Sequence, residues 1–453
     1  MERIKLSEHF NYKRLIRFVL PSVLMMLFIS IYSIVDGFFV SNFVGDLPFA
    51  ALNLIFPFIA ILGAVGFMLG TGGNALVSKT LGQGDNKRAN EIFSLIVYTT
   101  AVVGTVLAIL GNIFARPVAV ELAKKETTLT DIERAQLIEY CVMYARTILS
   151  VLPFFMMQNT FQGFFVTAEK PRLGLYVTLL AGFGNILLDA LFVAVFGWGL
   201  FGAALATACN QFLGGVFPLF YFFRKNDSLL QLGKTHFDGK VLLKTCTNGL
   251  SELITNVSLS LIGIVYNAQL MSIVGIDGVS AYGVIQYLGF IFIAVFLGYS
   301  VGMAPIVGFH FGAENGKELN NILKKSLIIT GTASIVMSAV GIVFAKPLAA
   351  IFVSHTPALL EMTAWGMRIN SLSYLFCGFN IFTSAFFTAL GSGSISLFLS
   401  FLRTFVLQAV CVLTLPLVWG LNGVWLSLVF AEVTALGLSV VMLIVFRKKF
   451  HYA

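Results

Sequence analysis

Apolar residues run along this chain in twelve long blocks separated by short polar stretches. The blocks cover about 14–41, 49–78, 91–115, 137–166, 172–195, 200–223, 241–271, 279–311, 320–344, 361–390, 395–417 and 421–446. A bilayer-spanning helix needs about 20 apolar residues, and each block supplies that. Helices are expected throughout, because lipid offers backbone groups no partner and barrel strands would be short and alternating. The second and eighth blocks exceed the bilayer thickness and must tilt, bend or project into water. Pro57 with Gly63, Gly66, Gly70, Gly72 and Gly73 predicts a bend in the second, and Pro21 offers one in the first. The composition agrees: 58% of the 453 residues are hydrophobic and only 11% charged, against roughly 25% charged in a soluble domain. The fold class is therefore an all-α membrane protein with twelve transmembrane helices. The N-terminal apolar run is too long for a signal peptide, and no long soluble tail is expected.

Lysine and arginine set the orientation. Of the 29, 21 fall on the side that holds both termini, five on the other and three inside spans. Arg3 and Lys5 belong to the first group, Lys124 and Lys125 to the second. Both termini are expected in the cytoplasm, with the chain in the plasma (inner) membrane. The net charge of +8 is then a topology signal, and no nucleic-acid partner is needed. Five cysteines lie in apolar stretches without C-x-x-C spacing, which suggests neither a zinc site nor a disulfide framework. GTGGN at 71–75 and GSGS at 391–394 lack the lysine of a P-loop. Five scattered histidines form no catalytic cluster. Neither an enzyme nor a resident cofactor is expected.

The chain is internally duplicated. GNIFARPVA at 111–119 matches GIVFAKPLA at 341–349, and the same offset of 230 pairs Gly45 with Gly275, Gly72 with Gly302 and Gly82 with Gly312. WGLFGAAL at 198–205 matches WGLNGVWL at 419–426, an offset of 221. The difference reflects a charged third loop, Glu121 to Glu139, longer than its partner near Ser354 to Glu361. Six spans per repeat is even, so both halves enter the membrane in the same direction, as two lobes around a cavity. The expected division is a six-helix lobe at 1–224, a linker at 225–240 and a second lobe at 241–453.

Ionisable residues inside these spans are few, and a buried carboxylate costs about 2.5–3.5 kcal/mol to insert. Asp36 lies in the first span, Asn185 and Asp189 share a helix face in the fifth, and Thr207 lies in the sixth. Counted from the outer turns, Asp36, Asp189 and Thr207 each sit roughly 13 Å along their helices. An amide or hydroxyl in a span is more often helix–helix glue than a site. Two aspartates at matched depth are harder to explain that way. Two nearby carboxylates in a low dielectric cannot both stay charged without a cation. A proton or Na⁺ on Asp36, Asn185, Asp189 and Thr207 would relieve them, and no permanent metal is required. The second half does not copy the set: Tyr266, Val406 and Val410 occupy the corresponding places.

With these residues in view, the chain resembles a multidrug and toxic compound extrusion (MATE) transporter over essentially its whole length. The pattern Asp36-Gly37-Phe38-Phe39-Val40 with Gly45 is similar to that family's, as is the glycine-rich end of the second span before Gln83-Gly84-Asp85. Asn185, Asp189 and Thr207 resemble the amino-lobe cation site of its DinF-like members. The resemblance implies a V-shaped, outward-open carrier. It implies export of cationic or amphipathic small molecules against H⁺ or Na⁺, by a chain that functions as a monomer in the lipid bilayer. Other branches of the family carry a glutamate deeper in the seventh span and an acid in the tenth. Here the seventh-span acid is Glu252, near the helix start, and the tenth span has none after Glu361.

The remaining polar residues have structural readings beside functional ones. Glu252, Gln286 and Tyr266 are cavity-lining candidates. A pairing or helix-start role weighs slightly more for Glu252, and an interhelical hydrogen bond more for Gln286. His310 is expected at the interface, Arg146 and Arg368 as snorkelling or gate residues, and Arg403 paired with Glu432. A lipid-linked precursor flippase would want basic residues in its cavity, whereas the buried groups of the first lobe are acidic. A dedicated metabolite exporter stays open. A channel fits a buried ion site in a two-lobe repeat less well than a carrier does.

Overall fold

The computed structural model describes residues 4–124, 130–354 and 356–452, and of Phe38, Ser41, Asn42 and Asp46 it describes the backbone alone. Arg3, Lys125 and part of the charged third loop lie outside the described residues. All regular structure among the described residues is helical. The first half contains α1 (Tyr12–Phe43), α2 (Asp46–Gly82), α3 (Asn86–Ala123), α4 (Asp131–Ser150), α5 (Leu152–Thr167), α6 (Pro171–Asp189) with a π-helical turn at Ala190–Val195, and α7 (Gly199–Phe223). The second contains α8 (Gly239–Ile273), α9 (Ile276–Gly312), α10 (Gly316–Val343), α11 (Ala345–Val353), α12 (Pro357–Ser371) and α13 (Tyr374–Ala389). It continues with α14 (Gly393–Phe401), a π turn at Leu402–Val406, α15 (Leu407–Thr414), α16 (Pro416–Trp419) and α17 (Leu421–Phe446). Among the described residues, ten stretches are long and apolar enough to span a membrane. Two bent pairs, α4 with α5 at 56° and α12 with α13 at 50°, bring the number to twelve. The protein is a multi-pass membrane protein.

The duplication extends to the backbone. α2 and α9 each have 37 residues, and α3 aligns with α10 plus α11. Left-handed turns recur at matched positions: Gly45 with Gly275, Gly84 with Glu314, Glu169 with Gly391, and Gly199 with Gly420. Each half also breaks its fourth span. Val151 adopts φ −108° and ψ 9° before Pro153, and Leu372–Ser373 interrupts the matching helix. The fourth and tenth apolar blocks read as continuous, because an interruption of one or two residues leaves little mark in the hydropathy pattern.

α2 runs without interruption through Pro57. Its glycines have a different use from the bend that the sequence suggests. At Gly66 an added Cβ would lie 2.6 Å from the Cα of Met156, and at Gly70 2.8 Å from the Cα of Thr160. At Gly72 it would collide with the carbonyl of Thr245. These glycines let α5 and α8 approach α2 backbone to backbone, the usual route to tight packing where lipid supplies no hydrophobic drive.

By internal contacts the described residues form two compact units. One comprises residues 1–27, 78–84 and 250–453, the other residues 28–77 and 85–249. In the second unit, the segment between α7 and α8 is strapped along α3. Gln231 N donates to Asn90 Oδ1 (2.6 Å), Gly233 N to Ser94 Oγ (3.0 Å), Thr235 Oγ1 to the Glu91 carbonyl (2.8 Å), and Arg88 Nη2 to Asp238 Oδ2 (2.5 Å). In the first unit, the residues before α1 do the same to α10. His9 Nδ1 meets Glu318 Oε2 at 2.7 Å, Phe10 N donates to Glu318 Oε1 (2.9 Å), and Lys325 Nζ donates to the Phe10 carbonyl (2.7 Å). Arg88 and Glu318 are repeat-equivalent, so the duplication kept the strap and reversed its charge.

Two predictions follow from the packing and the strap. Gly66→Ala should lower the thermal midpoint of the detergent-solubilised protein, reflecting about 1–3 kcal/mol of overpacking. Gly263→Ala, where a Cβ meets open space, should be neutral or stabilising. Equal midpoints for both variants would contradict the close-approach reading. The backbone N–H of Val241 and the Arg88 guanidinium hold Asp238 below the usual carboxylate range. A depressed folded-state pKa stabilises above the unfolded value of about 3.9 and is lost as pH falls through the folded one. Hydrogen-exchange protection of the backbone amides of residues 229–238, corrected for the intrinsic rate at each pH, should therefore hold near neutrality and fall only below about pH 4. A loss of protection already at about pH 6 would contradict this.

Candidate functional site

The unit containing residues 28–77 and 85–249 has one apolar core into which the elements of the sequence-predicted site are built. Val40 of α1, Ile55 of α2, Tyr144 of α4, Val193 of the π turn and Ala203 of α7 are all buried in it. This core fixes the faces that α1, α6 and α7 turn inward. Asp189 is the last residue of α6 before the chain widens into the π turn. Such turns break the i→i−4 ladder and are frequent at functional positions.

The structure brings together Asp36, Asn185, Asp189 and Thr207. Asp36 lies beside both Asp189 and Thr207. Asp189 is fully buried and Asn185 is 1% exposed, while Asp36 and Thr207 are half-buried. Asp36 Oδ1, both carboxyl oxygens of Asp189, Asn185 Nδ2 and Thr207 Oγ1 are buried without a hydrogen-bond partner among the described residues. More than nine in ten buried polar groups in folded proteins are partnered, so five orphaned atoms on three helices form a concentrated exception. Tyr32, Asn210 and Tyr144 complete the surroundings. Tyr32 lies near Asn210 and Asp36, and Tyr144 near both aspartates. Tyr32 is one turn before Asp36 and Asn210 three residues after Thr207, so helical spacing could have found these two. Tyr144 comes from α4 and carries no sequence signal.

Chemically, the set offers two carboxylates, a hydroxyl and an amide, and among the described residues no basic group acts on either acid. Two adjacent carboxylates in low dielectric are relieved by a proton shared between them or by a hard cation with oxygen ligands. Among the described residues no group of three His, Cys, Asp or Glu side chains has the geometry of a metal centre.

The other unit holds a different polar cluster. Arg403, inside the second π turn, pairs with Glu432 (Nη1 to Oε1, 3.7 Å), as the sequence suggests. Asn380 Nδ2 donates to Glu432 Oε2 (2.7 Å) and to its carbonyl (2.9 Å), and Ser439 Oγ donates to Asn380 Oδ1 (2.8 Å). Glu252 is half-buried within the field of Arg403. Tyr266 is buried, stacks flat on Tyr282 at 4.9 Å, and its hydroxyl has no hydrogen-bond partner among the described residues. Gln286 donates to Tyr282 Oη at 2.7 Å. That bond lies within α9, one turn apart, where an interhelical bond was expected. His310 departs from its expected interfacial exposure: it is 2% exposed, its ring 6.4 Å edge-on from Phe10. The strap before α1 covers it. Arg146 and Arg368 are exposed.

The MatE family model matches residues 21–191 and residues 253–414, one stretch in each half of the duplication. The chain belongs to the MatE family. Among its curated relatives is the multidrug export protein MepA of Staphylococcus haemolyticus, 24% identical over 423 residues, covering 93% of this chain and 90% of that protein. MepA of Staphylococcus aureus (strain NCTC 8325 / PS 47) is 22% identical over 425 residues, covering 93% and 91%. Among solved structures, the outward-facing conformation of a multidrug resistance MATE family transporter of the MOP superfamily superposes with a TM-score of 0.90 at 21% identity over 100% of both chains. The bent conformation of a MATE protein gives 0.84 at 22% identity over 98% of both. The MatE fold is thus the fold of this chain.

Removing one of the orphaned carboxylates should stabilise this MatE protein. In Asp189→Asn an amide that can donate to Asp36 replaces a second acid, relieving repulsion and an unmet acceptor at once. A gain of about 1–3 kcal/mol is expected, read as a raised thermal midpoint in sodium-free buffer near pH 8. A lowered midpoint with an intact elution profile would contradict the geometry.

Proposed function

We propose that this MatE protein is a multidrug efflux carrier that exports cationic and amphipathic small molecules in exchange for H⁺ or Na⁺ loaded at Asp36, Asn185, Asp189 and Thr207. The observation that carries the coupling site is the group of orphaned buried atoms on α1, α6 and α7. A protein that buries two acids without partners stores a preference for whatever neutralises them. Loading an ion there changes what α1, α6 and α7 can bond to, and so favours a different packing of the amino-terminal lobe. That repacking releases cargo outward, and the loaded carrier then returns and discharges. A membrane potential supplies about 2.3 kcal/mol per charge per 100 mV, enough for modest accumulation.

The lobes in this reading are residues 1–224 and 241–453, joined by 225–240, with both termini in the cytoplasm, the chain in the plasma membrane and the monomer as the working unit. Glu252, Tyr266 and Gln286 are assigned to the cargo-facing wall of the second lobe. Glu252 suits a cationic cargo, because Glu432 already neutralises the buried Arg403.

Purified protein in liposomes loaded with a fluorescent organic cation tests this directly. Export should follow an imposed ΔpH or ΔNa⁺, each applied alone, and the active gradient names the ion. Asp36→Asn should bring export to the protein-free rate while leaving the protein folded. Export retained in that variant would remove Asp36 from the mechanism.

A further inference from the structure

At the end of the membrane-spanning helices where lysines gather, the unit containing residues 250–453 holds a cavity of about 680 Å³. It lies where α2 and α9 end, α10 begins, and the tail after α17 folds back. The tail is fixed in place. Phe450 and Tyr452 are buried, and the Tyr452 hydroxyl donates to the Leu443 carbonyl at 2.8 Å. The carbonyl of His451 lies so close to Gly316 that any side chain there would collide with it.

Lys79, Lys317 and Lys449 line the cavity together with His451, against a single carboxylate, Glu314. Lys79 Nζ lies 4.8 Å from the centre of the Phe311 ring, and Lys449 Nζ lies 5.4 Å from that of Phe450 and 5.5 Å from that of Phe446. Ring faces hold ammonium groups in place without neutralising them. Lys317 and Lys449 form no ion pair among the described residues, whereas Arg14, Arg88 and Lys170 each have a carboxylate partner. The charge of Lys317 and Lys449 is therefore left for something else. Phe311, Phe450 and Leu319 give the same cavity an apolar wall.

We propose that this cavity binds the phosphodiester headgroup of an anionic phospholipid. The ammonium groups of Lys317 and Lys449 in one cavity suit a phosphate, the volume falls in the range of ligand sites and far exceeds one inorganic ion, and the apolar wall suits the glycerol carbons. Its place at the helix ends puts it at headgroup depth, where basic pockets meet anionic lipid. A free phosphate compound shares the anion chemistry, and the apolar wall favours the lipid.

The test uses the full chain in neutral detergent, with its thermal midpoint followed as phosphatidylglycerol, phosphatidylcholine, inorganic phosphate or pyrophosphate is added. Phosphatidylglycerol alone should raise the midpoint saturably. In Lys317→Gln/Lys449→Gln the concentration for half the effect should rise by roughly tenfold or more. The pair Lys317→Arg/Lys449→Arg should retain the response, as should Lys234→Gln/Lys240→Gln, which removes two lysines outside the cavity. If the first variant does not fold, native mass spectrometry of lipid retained by Lys449→Gln reads the same site. An unchanged response in the cavity variants, an equal loss in Lys234→Gln/Lys240→Gln, or an equal shift with phosphatidylcholine would overturn the proposal. So would a full shift with phosphate or pyrophosphate, which would make the ligand a soluble anion.

Discussion

Two carboxylates held side by side, three of whose oxygens are buried without a hydrogen-bond partner among the described residues, are the constraint on which the rest of this protein turns. Desolvation penalises each charge, and proximity penalises having both. Asp189 cannot relax away, because it sits fully buried where α6 widens into a π turn. Asp36 is fixed by α1, whose Val40 lies in the same core as Val193 and Ala203. The surrounding side chains add hydroxyls and amides, from Thr207, Asn185, Asn210, Tyr32 and Tyr144, and no cation. Packing therefore enforces an arrangement that electrostatics resists, and a proton or a hard cation would remove the conflict. Most sequences avoid such strain, and where it persists it marks function.

The second half shows what the same scaffold does without that conflict. Its buried acid Glu432 has Arg403 at 3.7 Å and Asn380 at 2.7 Å, so its charge is met from within the protein. Both halves use a π turn, yet at different places along their helices: Ala190–Val195 follows an aspartate, Leu402–Val406 contains an arginine. The backbone turns, the broken fourth span and the strap on the third helix remain in register. Duplication preserved what holds the helices in place and changed the ionisable residues they carry.

Much of this was legible in the chain because membranes impose simple rules. Span number, repeat offset and the set Asp36, Asn185, Asp189 and Thr207 all follow from length, repetition and the rarity of polar groups in oil. What escaped depends on tertiary contact. The glycines of α2 read as a bend, while Gly66 and Gly70 are there because the backbone of α5 passes within reach of them. The breaks at Val151 and Leu372–Ser373 take up only one or two residues within long apolar blocks and leave the hydropathy pattern continuous. His310 looked interfacial because nothing local announces that Leu6 and Phe10 fold over it. Gln286 found its partner on its own helix, a choice set by the Tyr266–Tyr282 stack. Tyr144 reaches the aspartates from a helix whose sequence gives no hint of them.

Infrared difference spectroscopy on the protein in lipid, stepping pH or Na⁺ in turn, observes the carboxyl groups themselves. A carboxylic C=O band that appears on acidification, disappears on raising pH or adding Na⁺, and is lost in Asp189→Asn is the expected result. A spectrum in which no buried carboxyl changes its protonation or ligation under either step would contradict the central claim that these two acids exchange an ion.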